Sequence, residues 1–498
     1  MRRLSKSKLM AFRQCPKRLW LEVHQPELKD DSGAKAVFAT GNEVGEVACK
    51  VFDDKGDGIN LDPNLIGWDQ AAEQTPQALA AGDRAVFEAY FTIPGAMALA
   101  DVMRPDANHP ELHWEMIEVK SAASLKDYHR DDVAIQTFIA EKSGILLSKS
   151  FLAHIDSSFV YQGDGNYQGL FKLEDLTEEA RSRADEVALW LQEAQRIVAL
   201  EEAPNIAVGP HCYEPFDCGF CTHCYKDVPV EQDPFSMLPR LNWKKREAWQ
   251  LQGIETLDDT PDEQLSDAQA IVKSAHLTGN TYFDAESAKS QLAEYNSPAY
   301  FLDYETVSFA VPIWAYTSPY QNIPFQYSLH RVDQDGEVGH FEFLELDGED
   351  PRRALSEALI RQCGTSGPIF VYNASFERRV TGELANLFPD LREGLNNILG
   401  RIVDLLPIAR QCYYNPLQHG SWSLKAITPA IDPKLSYKDL EGVQVGSDAG
   451  VAYLEACRPE TNPVRREELR QQMLKYCELD TYATVRIWEY FRTEGILP

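Results

Sequence analysis

The ten residues YFLDYETVSF, at positions 300–309, constrain the fold more than any other stretch of the sequence. Their aromatic and aliphatic side chains predict a β-strand, with Pro298 just before it. Side chains two apart on a strand share a face, so Asp303 and Glu305 project from one side of a sheet. Neighbouring carboxylates repel each other unless a positive charge lies between them, which a divalent metal would supply. An edge strand with a hydrated outer face is the alternative.

The composition predicts a large protein that has more than one domain. A chain of 498 residues exceeds what one hydrophobic core usually supports, so we expect two or three domains. The formal net charge of −29 argues against binding long nucleic acid by broad electrostatics, but a nuclease with locally basic grooves is compatible with it. Neither a signal-peptide-like run nor an 18-residue apolar stretch occurs, so we expect a cytoplasmic protein without membrane contact.

The order of predicted elements divides the chain into three parts. Residues 1–228 mix strands and helices. Residues 229–296 follow a Pro-punctuated passage and predict short helices, a connector that weakly resembles a helix-hairpin-helix element. In residues 297–498, strands alternate with helices. The predicted fold class is therefore α/β, with two domains and a helical connector.

Further acidic residues follow in the C-terminal part. The passage VYNASFERR places Glu377 near the first turn of a helix that follows an apolar strand. Farther on, LKYCELDTYATVRIWEYF predicts an amphipathic helix in which Tyr476 and Asp480 share a face. Four acids could clamp two metal ions that activate a water and stabilise the leaving oxygen of a phosphodiester, with the tyrosine hydroxyl orienting or deprotonating that water.

This series resembles the three motifs of the DnaQ-like 3′–5′ exonucleases of the tyrosine DEDD subtype, over residues 297–498. The resemblance implies a ribonuclease-H-like fold and a catalytic role for Tyr476. It also implies Mg²⁺ or Mn²⁺ ligands, which are Asp303, Glu305, Glu377 and Asp480. The family has an aspartate where this chain has Glu377.

Two neighbouring features have alternative interpretations. Asp404, in RIVDLLPIAR, is either a substitute metal ligand or a helix cap. Ser423 and Lys425, in YYNPLQHGSWSLKAI, either approach a phosphate or lie in a surface loop, and the loop is the preferred interpretation.

A second set of candidate residues lies in the N-terminal part. ALADVMRPD predicts a strand that ends at Asp101, and HWEMIEVKSAASLKDY predicts one in which Glu118 and Lys120 share a face. The carboxylate could bind a metal while the ammonium positions an attacking water, although such a pair is also common on protein surfaces. Predicted helices on either side carry Glu46 and Gln136. This ordered set resembles the PD-(D/E)XK nuclease superfamily, which implies that Glu46, Asp101 and Glu118 bind Mg²⁺ or Mn²⁺ and that Lys120 and Gln136 are catalytic.

The cysteines indicate a further metal centre. Four of them lie within thirteen residues, namely Cys212, Cys218, Cys221 and Cys224, which in a reducing compartment favours metal over disulfides. Together with Cys15 in QCPKRLWL, they resemble the iron–sulfur RecB-like nucleases, including those of AddB type and the CRISPR adaptation nucleases, over residues 4–225. The resemblance implies a 4Fe-4S cluster on Cys15, Cys212, Cys218 and Cys224, with Cys221 as a bystander or alternate ligand. A local zinc site that includes Cys212 or His223 is the alternative.

Together the two resemblances imply a metal-dependent DNA nuclease, in which a RecB-like domain cuts or trims and a DnaQ-like domain removes nucleotides from 3′ ends. Repair, DNA processing and defence are compatible roles. RNA is the alternative substrate, since DnaQ-like domains act on both polymers. A non-catalytic iron–sulfur protein that binds nucleic acid or serves as a scaffold is the other alternative. Glu377 would support it, as would Gly45, where many RecB-like relatives have a metal-binding histidine.

Overall fold

The computed structural model describes residues 2–30, 34–53, 55–106, 108, 113–226, 235–437 and 440–497, without the side chains of 34–38. The chain divides into two compact units, Met1–Pro229 with Phe309–Tyr320, and Val230–Ser308 with Gln321–Pro498. Both units combine helices with a mixed β-sheet, so the α/β class is confirmed. The predicted boundary between 228 and 229 lies outside the described residues.

The first unit is built around a seven-stranded sheet. Its strands are β1 (Leu4–Ser5), β2 (Ile59–Asn60), β3 (Val86–Ile93), β4 (Ala96–Pro105), β5 (Trp114–Lys120), β6 (Leu147–Ile155) and β7 (Phe171–Asp175). Its helices are α1 (Lys6–Gln14), α2 (Pro16–His24), α3 (Ala34–Phe52), α4 (Pro63–Ile66), α5 (Trp68–Ala81), α6 (Asp127–Lys142), α7 (Thr177–Ser182), α8 (Ala184–Val198) and α9 (Cys221–Tyr225).

The strand order of this sheet brings the predicted N-terminal site residues to its centre. The order is β2-β3-β4-β5-β6-β7, and β1 pairs with β4 in parallel. The central strands β3, β4 and β5 are antiparallel, whereas β5 and β6 are parallel and are joined through α6. Leu152 of β6 and Ile135 of α6 belong to the main core, while Ile117 of β5 packs with Phe52 of α3 in a second cluster. The sheet is therefore covered by helices on both faces.

A short segment from the C-terminal part of the sequence completes the first unit. Residues Phe309–Tyr320 are grouped with this unit, although the predicted domain 297–498 included them. Ala310 and Val311 pack against Val44 and Val47 of α3. The backbone of Tyr161 exchanges two hydrogen bonds with this segment, at 2.7 and 3.0 Å.

The second unit contains a five-stranded sheet and a two-stranded sheet. Its strands are β8 (Tyr282–Phe283), β9 (Ala299–Val307), β10 (Ile323–Val332), β11 (Val338–Leu344), β12 (Ile369–Val371), β13 (Ile402–Asp404) and β14 (Tyr413–Tyr414). Its helices are α10 (Trp243–Leu251), α11 (Asp267–Thr278), α12 (Ala285–Leu292), α13 (Arg352–Cys363), α14 (Ser375–Leu387), α15 (Arg392–Arg401), α16 (Leu405–Cys412), α17 (Leu424–Ile431), α18 (Gly446–Cys457) and α19 (Pro463–Arg492).

The larger sheet of the second unit has the order β11-β10-β9-β12-β13. The first three strands are antiparallel, and β9, β12 and β13 are parallel. Alternate residues of β9 are buried in different hydrophobic cores. Leu302 and Tyr304 pack with α13, α14 and α15 on one face of the sheet, and Phe301 packs with α19 on the other. Asp303 and Glu305 therefore project from the face that α19 covers.

The 30-residue helix α19 is fixed at its start and along its length. The side chain of Asn462 accepts a hydrogen bond from the backbone N–H of Arg465, and Pro463 occupies the first turn, where its missing N–H costs nothing. Gln326 of β10 donates to the backbone of α19 at Met473. None of the described helices is both long and apolar enough to cross a membrane.

The segment predicted as a connector, 229–296, is grouped with the second unit from its described start at residue 235. It forms the short helices α10, α11 and α12. Trp249, Val272 and Leu292 from these helices are buried in the same core as Phe301 and Phe370 of the sheet.

Candidate active sites and a cysteine cluster

Four acidic side chains converge around Asp303 in the second unit. Asp303 and Glu305 project from β9, and Glu377 and Asp480 come from α14 and α19. One oxygen each of Asp303 and Glu305 and the sulfur of Cys477 lie within 4.8 Å of one another. Burial raises the pKa of Asp303 well above its usual range, and the charges of Asp480, Glu305 and Glu377 add to this effect. The charges of the other three predicted metal ligands therefore all act on Asp303.

Glu377, which replaces the expected aspartate, is held in the interior. It is 3% exposed, and its Oε2 atom has no hydrogen-bond partner among the described residues. Burial raises its pKa to about 7, with a contribution from the charge of Asp404. A buried carboxylate oxygen without a donor is costly, and a hard divalent cation would satisfy it. The residues present therefore fit Mg²⁺ or Mn²⁺.

Asp404 acts as a helix cap. Its Oδ1 atom accepts from the backbone N–H groups of Asn373 and Leu406, and its Oδ2 atom from that of Ala374, all at 3.0 Å. These bonds satisfy N–H groups at the starts of α14 and α16. Of the two interpretations of Asp404, the capping role is the one observed.

Two tyrosines hold Asp480. The hydroxyl of Tyr437 donates to its Oδ1 atom at 2.5 Å, and the predicted catalytic Tyr476, one turn earlier on α19, also hydrogen-bonds to this carboxylate. Burial raises the pKa of Asp480 to about 6, while both hydroxyls and the ammonium group of Lys425 oppose the rise. Sequence analysis missed Tyr437, since no spacing links it to a residue 43 positions away.

Lys425 lies at this site. Its ammonium group is 4.8 Å from the ring centre of Tyr476 and 5.3 Å from that of Tyr437, and it donates to the carbonyl of Gln444. Its charge lowers the pKa of Asp480. The preferred interpretation of this stretch as a surface loop is therefore wrong for Lys425, which belongs to α17, while Ser423 is exposed just before that helix.

A cleft of about 930 Å³ opens onto these residues. Asp303, Tyr476 and Asp480 line it together with Asn373, Ser423 and Lys425. Two further cations, Arg240 and Arg410, also line the cleft. The acidic group thus lies beside positive side chains, which reverse the negative net charge of the protein locally and favour an anionic ligand.

In the first unit, two lysines and two acids form a buried network. The ammonium group of Lys120 lies 2.6 Å from Glu118 and 2.5 Å from Asp132, and that of Lys6 lies 2.5 Å from Glu118 and 3.1 Å from Asp132. Glu118 and Lys120 come from β5, Asp132 from α6 and Lys6 from α1. The predicted pair is therefore part of a four-charge cluster. Sequence analysis missed Lys6 and Asp132.

Asp101 and a further acid, Glu88, lie beside this network. Asp101 accepts from the backbone N–H of Val119 at 2.7 Å, and burial together with the charge of Glu118 raises its pKa to about 7. Burial raises the pKa of Glu88 to about 8, with Asp101 as the strongest charged contributor. Glu88 has φ of 55°, a strained conformation for a residue other than glycine. An acid within the apolar strand VFEAYF is the signal that could have identified it.

Two buried atoms in the first unit would be satisfied by a ligand. Gln136 of α6 is fully buried and donates to the carbonyl of Leu99, but its Oε1 atom has no partner among the described residues. The Oε2 atom of Glu118 likewise has none, because Lys6 and Lys120 both approach Oε1. An acid with one free buried oxygen, next to a second acid in Asp101, fits a divalent cation.

Glu46 differs from the other predicted ligands because it is exposed. It lies on α3, one turn from Cys49. Burial raises the pKa of Cys49 to about 11, and Glu88, Asp101 and Glu46 all contribute to that rise. The side of α3 on which Cys49 lies, called the Cys49 face, therefore approaches Glu88 and Asp101. Gly45 lies on the same face, four residues before Cys49, and a Cβ atom added there would meet nothing within 4 Å.

The five predicted cysteines line one cavity in the first unit. Cys15 lies between α1 and α2, and the other four, Cys212, Cys218, Cys221 and Cys224, lie at or near α9 and the short turn before it. All five are free thiols. Such a donor set fits either a 4Fe-4S cluster or Zn²⁺.

The Cys221 thiol differs from those of Cys218 and Cys224 in the groups that it approaches. Burial raises the pKa of Cys218 and of Cys224, and for both residues Cys15 and Cys212 add to this effect. Burial also raises the pKa of Cys221, with Cys218, Cys212 and Cys224 adding to this effect, and its sulfur donates to the carbonyl of Cys212 at 3.5 Å. Cys15 therefore approaches Cys218 and Cys224 although it is far from them in sequence.

Comparison with protein-family models finds a match to a stretch that lies mostly in the second unit and includes Phe309–Tyr320 of the first. A model of the family described as "Domain of unknown function (DUF2779)" matches residues 300–423. The matched stretch includes Asp303, Glu305 and Glu377 but ends before α19, which carries Tyr476 and Asp480. A search of curated proteins finds no match.

Proposed function

We propose that this chain is a metal-dependent DNA nuclease with two active sites. The first unit would be a RecB-like PD-(D/E)XK nuclease, and the second a DnaQ-like 3′–5′ exonuclease with a ribonuclease-H-like fold. The observation that carries the proposal is the convergence of four acids from β9, α14 and α19, next to a cleft that Asp303, Asp480 and Tyr476 line. Burying like charges together destabilises the folded protein. A site that binds cations for its activity explains why such an arrangement is present.

In the second unit, Asp303, Glu305, Glu377 and Asp480 would hold divalent ions. Once bound, these ions would activate a water and stabilise the leaving oxygen of a phosphodiester. Tyr476 would orient the water, since its hydroxyl already points at the Asp480 carboxylate.

Cationic side chains beside the acids support a phosphate-bearing substrate. Lys425, Arg240 and Arg410 line the same cleft, where they would bind the backbone on either side of the scissile bond. Lys425 also lies near enough to Asp480 and Glu305 to lower their pKa values.

In the first unit, Asp101 and Glu118 would hold the ion, and Lys120 would position the attacking water. Lys120 contacts both Glu118 and Asp132, so its ammonium group is held next to the Glu118 carboxylate that would bind the ion. Gln136 has a free buried carbonyl oxygen that could accept from the attacking water.

A 4Fe-4S cluster on Cys15, Cys212, Cys218 and Cys224 would link the α1–α2 region at the start of the first unit to the α9 region near its end. Cys15 follows α1, the helix that carries Lys6 into the acidic network. Loss of the cluster would therefore loosen the helix next to the nuclease site.

The proposal is tested by incubating the anaerobically purified protein with 3′-labelled and 5′-labelled DNA and RNA and with Mg²⁺ or Mn²⁺. The variants are Asp303→Asn, Lys120→Ala and the double variant. Matched controls are Glu460→Gln and Lys50→Ala, which change exposed residues of the same two units. We expect DNA cleavage in which each active-site variant removes a different set of products while both controls cleave as the unaltered protein does.

Three results would contradict the proposal. Cleavage that persists in the double variant would mean that the assigned sites are wrong. Cleavage of RNA alone would change the substrate class. Binding of nucleic acid without cleavage in either metal would favour the non-catalytic iron–sulfur protein.

A further inference from the structure

Two histidines form a cross-strand pair next to α19, outside the proposed active site. His330 of β10 and His340 of β11 are directly paired, with ring centres 4.5 Å apart. Both side chains project from the sheet face that α19 covers, where Glu478 approaches them. One nitrogen of each histidine and one oxygen of Glu478 lie within 4.8 Å of one another.

Hydroxyl groups lie within hydrogen-bond distance of one nitrogen of each ring. His330 Nδ1 lies 2.8 Å from the hydroxyl of Thr481, and His340 Nε2 lies 2.9 Å from that of Ser328. The two hydroxyls are 2.7 Å apart, and that of Thr481 donates to the carbonyl of Cys477 or Glu478.

A single arrangement of protons satisfies this chain of hydrogen bonds. Thr481 donates to a carbonyl, Ser328 donates to Thr481, and each hydroxyl accepts an N–H from one histidine. The remaining nitrogens, Nε2 of His330 and Nδ1 of His340, then carry lone pairs. Metal-binding histidines are typically oriented in this way, by a hydrogen bond from the nitrogen that does not bind the metal.

The geometry points to a transition-metal site formed by His330, His340 and Glu478, occupied by Zn²⁺ or a similar borderline divalent ion. Two imidazoles and one carboxylate are a ligand set that such ions accept, whereas Mg²⁺ prefers oxygen ligands alone. Glu478 is exposed and His340 is partly exposed, so water can complete the coordination. This inference does not depend on the proposed nuclease activity.

A metal at this position would fasten the β10–β11 hairpin to α19. Glu478 lies between Tyr476 and Asp480 on that helix, and Ser328 lies directly opposite Asp303 across the sheet. The ion would therefore hold in place the helix that supplies Tyr476 and Asp480, and the three ligands are positioning residues.

The test uses the full chain with its cysteine site loaded with iron under anaerobic conditions and with excess Mg²⁺ to occupy the carboxylate sites. Zn²⁺ is titrated by calorimetry, and Co²⁺ by visible absorption. We compare His340→Gln and Glu478→Gln with Glu337→Gln, an exposed acid in the β10–β11 turn. We expect the unaltered protein and Glu337→Gln to bind one more ion than the other two variants, with a Co²⁺ spectrum that lacks a sulfur-to-metal charge-transfer band.

Equal binding by all four proteins, or a Co²⁺ spectrum of thiolate ligation only, would overturn the inference. Glu478 is exposed, so its replacement should have little effect on packing. A folded Glu478→Gln protein that binds the ion with unchanged affinity would therefore also overturn the inference. Far-ultraviolet circular dichroism establishes that each variant is folded before titration.

Discussion

The hydroxyl of Tyr437 lies 2.5 Å from Oδ1 of Asp480 and donates a hydrogen bond to it. Tyr437 is 9% exposed and Asp480 is 7% exposed, so this bond is formed away from bulk water. Buried hydrogen bonds to charged groups contribute about 1.5–3 kcal/mol each, which makes Tyr437 a main determinant of the charge state of Asp480.

We therefore predict that Tyr437→Phe raises the pKa of Asp480 above its present value of about 6. A metal binds the charged carboxylate, so the pH above which Mn²⁺ binds should move upward. Without metal, the variant should lose about 1.5–3 kcal/mol of stability at a pH of about 8 and less at about 5, where Asp480 is neutral. Mn²⁺ titrations and urea unfolding at the two pH values measure these effects.

Tyr316→Phe, which changes an exposed tyrosine of the first unit, is the control. It should alter neither the pH dependence of Mn²⁺ binding nor stability. If the pH dependence of Mn²⁺ binding is the same in Tyr437→Phe as in the unaltered protein, Asp480 does not govern metal binding.

The sequence predicted the parts of the sites that depend on local periodicity. Alternation along a strand placed Asp303 and Glu305 on one face, and helical spacing did the same for Tyr476 and Asp480. Each is a relationship within one element, and the structure agrees with both.

The contacts that sequence analysis missed join distant parts of the chain. Lys6 and Glu118 are 112 residues apart, and no periodicity relates them. A surface loop is the preferred sequence interpretation for Lys425, whereas packing of α17 against α19 brings its ammonium group over two tyrosine rings. Topology, which local patterns do not encode, determines these contacts.

The cysteine cluster should tolerate the loss of Cys221 but not that of Cys218. We expect Cys221→Ala to retain iron and its visible absorption, because the Cys221 sulfur is directed at the carbonyl of Cys212. Cys218→Ala should lose both and unfold at lower urea concentration, since the metal stabilises the folded state by binding to it. Equal iron loss in the two variants would place Cys221 among the ligands, and zinc in place of iron would support the local zinc site.

Gly45→His should strengthen the N-terminal site. A side chain at position 45 has open space and lies on the Cys49 face of α3, which approaches Glu88 and Asp101. Replacing a helical glycine by histidine should also add a few tenths of a kcal/mol to stability. We expect tighter Mn²⁺ binding and more of the Lys120-dependent products. Gly41→His is the control, since Gly41 lies one turn farther from Cys49 and also has no close neighbour. It should change neither the affinity for Mn²⁺ nor the amount of Lys120-dependent products.

Glu88 provides a test of whether backbone strain is kept for function. Its φ of 55° suits glycine, and a left-handed conformation costs other residues about 1–2 kcal/mol. Glu88→Ala removes the carboxylate and keeps the strain, whereas Glu88→Gly removes both. We therefore expect Glu88→Gly to be more stable than Glu88→Ala by about 1 kcal/mol in urea unfolding. If the Glu88 carboxylate contributes to the ion site beside Asp101, both variants should bind Mn²⁺ equally weakly in the first unit. Mn²⁺ affinity that is unchanged in both would show that Glu88 only repels Asp101.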